Sequence, residues 1–184
     1  MEQEQFTIDD SEATKQLFGG VVAYKNFDKN ILGECKELPI LGVPLNPCRR
    51  LLPNLTEDLK SKVTLPETTD EAQIGYFAEK ATGKFWLGLF TADICKSATT
   101  QEIIGRCYKF MSDPKSKECQ GFSSGGGIRW ATGEPNGCDE TYMAYRPEKE
   151  GDPGLMDLGS AQVNWKAEII CVYIASSISN SCYT

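Results

Sequence analysis

The sequence contains no histidine. Ser-His-Asp triads, Cys-His nucleophilic pairs and His-ligated zinc therefore lack their central group here. No Cys-x-x-C pair occurs either, which removes zinc ribbons and thioredoxin-type redox sites. No apolar run reaches the roughly 18 residues that a membrane-spanning helix needs. Basic residues are the minority: Lys plus Arg number 19 against 26 Asp plus Glu, a formal charge of −7. A chain of that sign has no bulk attraction for phosphate backbones or anionic lipid. Nucleic acid is thus not an expected partner, and neither is membrane insertion. Heptads and internal repeats are also missing.

What is there suits one packed domain. The 184 residues are 40% hydrophobic and 10% aromatic, enough apolar material for a core. The eight cysteines (Cys35, Cys48, Cys95, Cys107, Cys119, Cys138, Cys171 and Cys182) are even in number and dispersed. That usage predicts disulfides and an oxidising compartment, with about a hundred complete pairings open. The sequon Asn54-Leu55-Thr56 agrees with a secreted glycoprotein. The opening MEQEQFTIDD has no apolar signal core and no basic lead, so a secreted protein is expected to have lost its signal peptide.

Residues 1 to 20 read as an acidic lead-in, loose to about residue 17, and residues 21 to 184 as the domain. Val21-Val22-Ala23-Tyr24 follows a Gly-Gly breaker and predicts a short strand. Residues 38 to 53 carry four prolines, which predicts an ordered loop. Residues 56 to 62 predict a short helix capped by Thr56. A stronger helix follows, capped by Thr69 or Asp70 and ended by Gly83. Its Ile74, Phe77, Ala78 and Ala81 fall at helical spacing. Phe85 to Phe90 is a continuous apolar run, expected to be a strand buried on both faces. Residues 91 to 127 form a long, polar, Cys-rich insertion. Strands are expected at Thr141 to Tyr145 and Glu168 to Ile174, with a loop over 146 to 161. Trp86 and Trp130 are expected in the core, Tyr142 and Tyr145 on opposite faces of their strand, and Arg129 paired with a local acid.

The chemistry concentrates at Glu134-Pro135-Asn136. A carboxylate and a carboxamide flank a proline, and both end in oxygens suited to a hard cation such as calcium. An X-Pro bond is also where a cis peptide is cheap, and cis geometry would aim both side chains to one side. Asp139 and Glu140 follow closely enough to join the same ring. The spacing is not that of an EF-hand. Two acids about 5 to 9 Å apart can hydrolyse glycosides, but nothing in the sequence places such a pair across a cleft, and no enzyme is expected.

Trp130 to Asn136 resembles the W-x-x-G-E-P-N stretch of C-type lectin-like domains. Phe85-Trp86-Leu87-Gly88-Leu89 is similar to that family's W-I-G-L core strand, and Ile169 to Tyr173 to its closing strand. The helix from Asp70 sits where the family's second helix does. The resemblance covers about residues 21 to 174. It implies an α+β fold with two helices, small antiparallel sheets and a long loop region, stabilised by disulfides. It also implies that the closing-strand Cys171 pairs with a cysteine of the first helical segment, Cys48 ahead of Cys35. Cys95 would then pair with Cys107 or Cys119, and Cys182 would pin the tail.

By the same resemblance Glu134 and Asn136 are calcium ligands and sugar contacts. Glu140, or less well Asp139, is the next ligand. The family's W-N-D motif is missing. Leu155-Met156-Asp157 stands in its place with Asp157 as the acid, while a thioether at Met156 is a poor calcium ligand. Asn164 is a second candidate for the amide, and Trp165 for stacking on a sugar. The implied function is a secreted, calcium-dependent module that binds glycans or glycoproteins of the mannose type. The alternative is a protein-binding or adhesion module with a degenerate calcium site. Self-association through the domain surface or the N-terminal lead would supply multivalency.

Overall fold

The computed structural model describes residues 6–27, 48, 61–91, 97–121, 128–159 and 167–175. Its elements are two four-stranded sheets with short helices, an α+β architecture of the expected kind. The first sheet runs β1 (Thr7–Asp9), β2 (Val21–Phe27), β8 (Ile169–Ala175) and β3 (Val63–Thr64), all antiparallel. The second runs β5 (Tyr108–Phe110), β4 (Phe85–Thr91), β6 (Tyr142–Arg146) and β7 (Gly154–Leu158), also antiparallel. The helices that lie wholly among the described residues are α1 (Glu12–Phe18), α2 (Glu71–Lys80) and α3 (Thr100–Ile104).

The lead-in is not loose over its described part. Ser11 caps α1 by accepting from the Thr14 amide, and Gly19 ends it in the left-handed region at φ 64°. Phe18 then packs edge-on to Tyr76 of α2, and β1 pairs with β2. Tertiary packing, which local polarity does not reveal, orders this segment. β2 extends three residues past the expected Tyr24 because β8 pairs along its whole length. Of the helix expected over 56 to 62, only residues 61 and 62 are described, and both are helical.

α2 follows the sequence closely. The Asp70 carboxylate accepts from the Gln73 amide, and Ile74 and Phe77 are fully buried. Burying each such side chain contributes about 2 kcal/mol. The helix stops at Ala81, two residues before Gly83, and Ala81 is itself buried.

β4 is apolar on both faces, as its continuous run predicts, because a core lies on each side. Phe85, Leu87 and Leu89 face the α2 side with Met143, Leu155 and Ile170. Trp86 faces the other core with Tyr142, Met156, Leu158 and the Cys48–Cys171 disulfide. Tyr142 and Tyr145 do lie against different cores. Trp130, expected in the core, is only half-buried and sits in an isolated bridge to Leu155.

Cys48 pairs with Cys171 across 123 residues, as the resemblance implies. Closing a loop of that length stabilises by about 4–5 kcal/mol in the chain-entropy model. Cys107 pairs with Cys119, so neither bonds to Cys95. Cys138 is also disulfide-bonded. Cys35, Cys95, Cys182 and the sequon at Asn54 lie outside the described residues.

Two segments read as loop depart from expectation. The insertion read as polar loop carries α3 and β5. α3 is fixed by a capping box in which Thr99 and Glu102 bond each other's amides, with Ile103 turned inward. The segment read as a loop over 146 to 161 contains the buried strand β7. Its start, Gly154, lies so close to the preceding loop that a Cβ there would fall 2.4 Å from the Ala131 nitrogen.

Candidate cation and ligand site

The site is built on the bend between Trp130 and β6. The bend is pinned first to β7 and its approach. The Ala131 amide donates to the Leu155 carbonyl at 3.0 Å, and the Leu155 amide to the Arg129 carbonyl at 2.9 Å. The Thr132 amide donates to an Asp152 carboxylate oxygen at 2.6 Å, and Arg129 pairs with that carboxylate at 2.8 Å. These bonds, the Thr132 amide foremost, hold the Asp152 carboxyl below its usual range. Arg129 thus finds the local acid expected of it. Gly133, at φ 85°, then turns the chain into Glu134.

The Glu134–Pro135 peptide is cis, and the side chains on either side of the proline meet. Asn136 Nδ2 donates to Glu134 Oε1 at 2.9 Å. Behind them lies Asp157, projecting from the middle of β7. Its two carboxylate oxygens accept from the Asn136 amide at 3.0 Å and the Gly137 amide at 3.2 Å. Those bonds explain how an acid 1% exposed sits in a buried strand. Glu140, 3% exposed, completes the group. It rests against Gly137 so closely that a Cβ there would lie 2.2 Å from its carboxyl.

Glu134, Glu140 and Asp157 each offer a carboxylate oxygen, and these oxygens lie within 4.8 Å of one another. Three like charges that close repel strongly in a setting where two of them are buried. Burial first, and then the Asp157 and Glu140 carboxylates, push the Glu134 carboxyl up to about 8, with Arg146 acting the other way. Glu134 Oε2 is buried and receives no bond from an N–H or hydroxyl, while the Glu134 carboxyl stands close enough to Asp157 to share a proton with it. A buried carboxylate oxygen without such a donor, facing two further acids, is a donor set for a hard divalent cation, which takes six to eight oxygens. The residues present fit calcium on chemistry and on placement.

The structure sorts the other candidates. Asn136 is exposed at the rim, in reach of Glu134. Asp139 is exposed and lies outside the three-carboxylate group. Met156 is buried in the core, whereas the carboxylate of its neighbour Asp157 lies in the three-carboxylate group. Asn164 and Trp165 lie outside the described residues.

Three residues that matter here carry no sequence signal. Arg106 bonds the carbonyls of the loop that carries Glu140, Gly137 makes room for the Glu140 carboxyl, and Arg146 lies near Glu134. Arg106 reaches the loop from more than thirty residues away, and Gly137 acts across three residues of an irregular bend, so no regular spacing encodes either.

No family model matches the chain, and no curated protein matches it. Among solved structures it is similar to the C-type lectin domain of murine dendritic cell inhibitory receptor 2, whose structure is a complex with N-glycan. The two share 13% identity with a TM-score of 0.46, covering 86% of this chain and 94% of that one. It is also similar to the C-type lectin CEL-I from Cucumaria echinata, at 13% identity and a TM-score of 0.42, covering 84% of this chain and 91% of that one.

Proposed function

We propose that the protein is a non-catalytic, calcium-dependent carbohydrate-binding module of the C-type lectin kind. The observation that carries the reading is the convergence of Glu134, Glu140 and Asp157 beside Asn136, with Glu134 Oε2 buried and without an N–H or hydroxyl donor. Glu134, Glu140 and Asp157 would hold the cation, with Asn136 contributing from the rim. A bound calcium supplies coordination positions for two neighbouring sugar hydroxyls. Glu134 accepts from one hydroxyl hydrogen, and the Asn136 amide donates to a hydroxyl oxygen, in place of the bond these two make to each other. The Glu-Pro-Asn order supports mannose-type hydroxyl geometry, by the resemblance described above. Glycans and glycoproteins are the proposed partners, in an extracellular setting consistent with the disulfides. No helix among the described residues is long and apolar enough to cross a membrane.

Calorimetry with mannose tests this, with and without chelator. Binding that requires calcium is the expected result. Equal binding in both conditions, or none in either, rejects the mechanism. The double exchange Glu134→Gln with Asn136→Asp is expected to shift preference towards galactose-type sugars.

A second reading is favoured by one observation. Met156 is buried in the core where the family places an amide ligand. On that reading the site is degenerate and the ligand is another protein. A melting temperature unmoved by millimolar calcium would select it.

A further inference from the structure

We propose that Arg106 is a positioning residue for the carboxylate group, acting from the Cys-rich insertion on the loop that carries Glu140. The inference rests on the cation reading above and adds a part to it. Arg106 lies in the turn between α3 and β5 and is buried at 9% exposure. Its Nη2 donates to the Cys138 carbonyl at 2.6 Å and its Nη1 to the Glu140 carbonyl at 3.3 Å. A planar guanidinium spans two carbonyls as a fork, which a lysine ammonium cannot do.

The need for such a clamp follows from the loop. On its upstream side the chain is fixed where Asn136 and Gly137 bond Asp157. On its downstream side the Thr91 amide bonds the Thr141 carbonyl, just before β6 begins. Residues 138 to 140 bridge these anchors, and Glu140 must present its carboxyl inward from that bridge. Arg106 bonds both ends of the bridge, and disulfides brace both sides of its bond to Cys138. Cys107, next in sequence, is bonded to Cys119, and Cys138 is itself in a disulfide. α3 supports the turn: the Arg106 amide donates to the Ile103 carbonyl at 3.2 Å, and Ile103 is buried. The insertion thus functions as a buttress for a cation ligand, a role its polar, loop-like composition does not suggest.

Calorimetric titration of calcium alone into the full chain and its R106M and R106K variants tests this. R106M keeps the apolar stem and loses every donor, and R106K restores the charge and N–H donors on a single nitrogen without the planar fork. Calcium affinity is expected to fall tenfold or more in R106M, with R106K between it and the parent. At saturating calcium the mannose affinity of both is expected to return to within about twofold of the parent. A merely structural arginine would lower the melting temperature in chelator and leave calcium affinity unchanged, and that result overturns the proposal. If the parent itself takes up no calcium, the cation reading fails and this inference falls with it, an outcome distinct from equal binding by parent and variants. Should R106M not fold, R106K decides by the same criterion. On the unaltered protein, Arg106 guanidinium resonances are expected to shift as calcium saturates, and resonances that stay fixed also overturn the proposal.

Discussion

At the scale of single residues, the molecule spends its buried acids in two different ways. Asp157 is stabilised by two backbone amides, and no pattern of neighbouring residues announces them. Glu67 is half-buried and links β3 to the turn after β5, accepting from the Thr64 hydroxyl, the Ser112 amide and the Ser112 hydroxyl. Burial still pushes its carboxyl above the usual range, with Asp113 adding to the shift and the Ser112 and Thr64 bonds opposing it. A carboxyl raised in the folded state favours folding while protonated. Its contribution is full below the ordinary glutamate range and is lost as pH rises through the raised value. The melting temperature of Glu67→Gln is therefore expected to fall less than the parent's across that window. Parallel pH slopes for the two proteins would contradict this. A second prediction concerns Gly137. A methyl there meets the Glu140 carboxyl, a buried group that can only move out of the cluster. Gly137→Ala is expected to weaken calcium binding about tenfold, near 1.4 kcal/mol, measured by calorimetry, with the calcium-free fold retained by circular dichroism.

At the scale of elements, legibility in the sequence followed the source of the ordering. α2 and β4 were readable because spacing, capping and a continuous apolar run are local properties, and both elements bury what those patterns predict. β8 was readable for the same reason. The Glu-Pro-Asn bend was readable by chemistry and by resemblance, and the carboxylates of Glu140 and Asp157 lie within reach of Glu134. β1, α1, β5 and β7 were not, because partners distant in sequence order them. β7 is the clearest case. Gly154-Leu155-Met156-Asp157-Leu158 sits among acids and turn formers, it is buried throughout, and it carries a charge at its centre. Its identity as a strand comes from β6, which pairs along its whole length, and from the bend that Asp157 fastens. Gly154 is held at φ 151° against the Ala131 backbone. Gly154→Ala meets both a disfavoured conformation and a backbone clash, and is expected to cost about 2–4 kcal/mol. Chemical denaturation would show this as a lower midpoint, and an unchanged midpoint would mean that β7 can shift away from the bend.

At the scale of the whole molecule, two long-range devices matter among the described residues, one observed and one proposed. One is the Cys48–Cys171 bond behind β4. Replacing both cysteines by serine is expected to remove several kcal/mol of stability, about 4–5 by the chain-entropy argument, read as a shifted denaturation midpoint. The other is the proposed cation. Calcium at a hundred times its dissociation constant is expected to add about 2.7 kcal/mol to stability, visible as a rise in melting temperature that Asp157→Asn abolishes. The two bridges fixed by described cysteines also differ in where they lie. Cys48 and Cys171 are sealed at 0% exposure, whereas Cys119 faces solvent and Cys107 is half-covered. Attack on a disulfide needs access to a sulfur. A gentle phosphine should therefore open the outer bridge well before the inner one, freeing thiols for a maleimide dye. A fluorophore attached there would sit one residue from the guanidinium fork, on a handle that nature left outside the core.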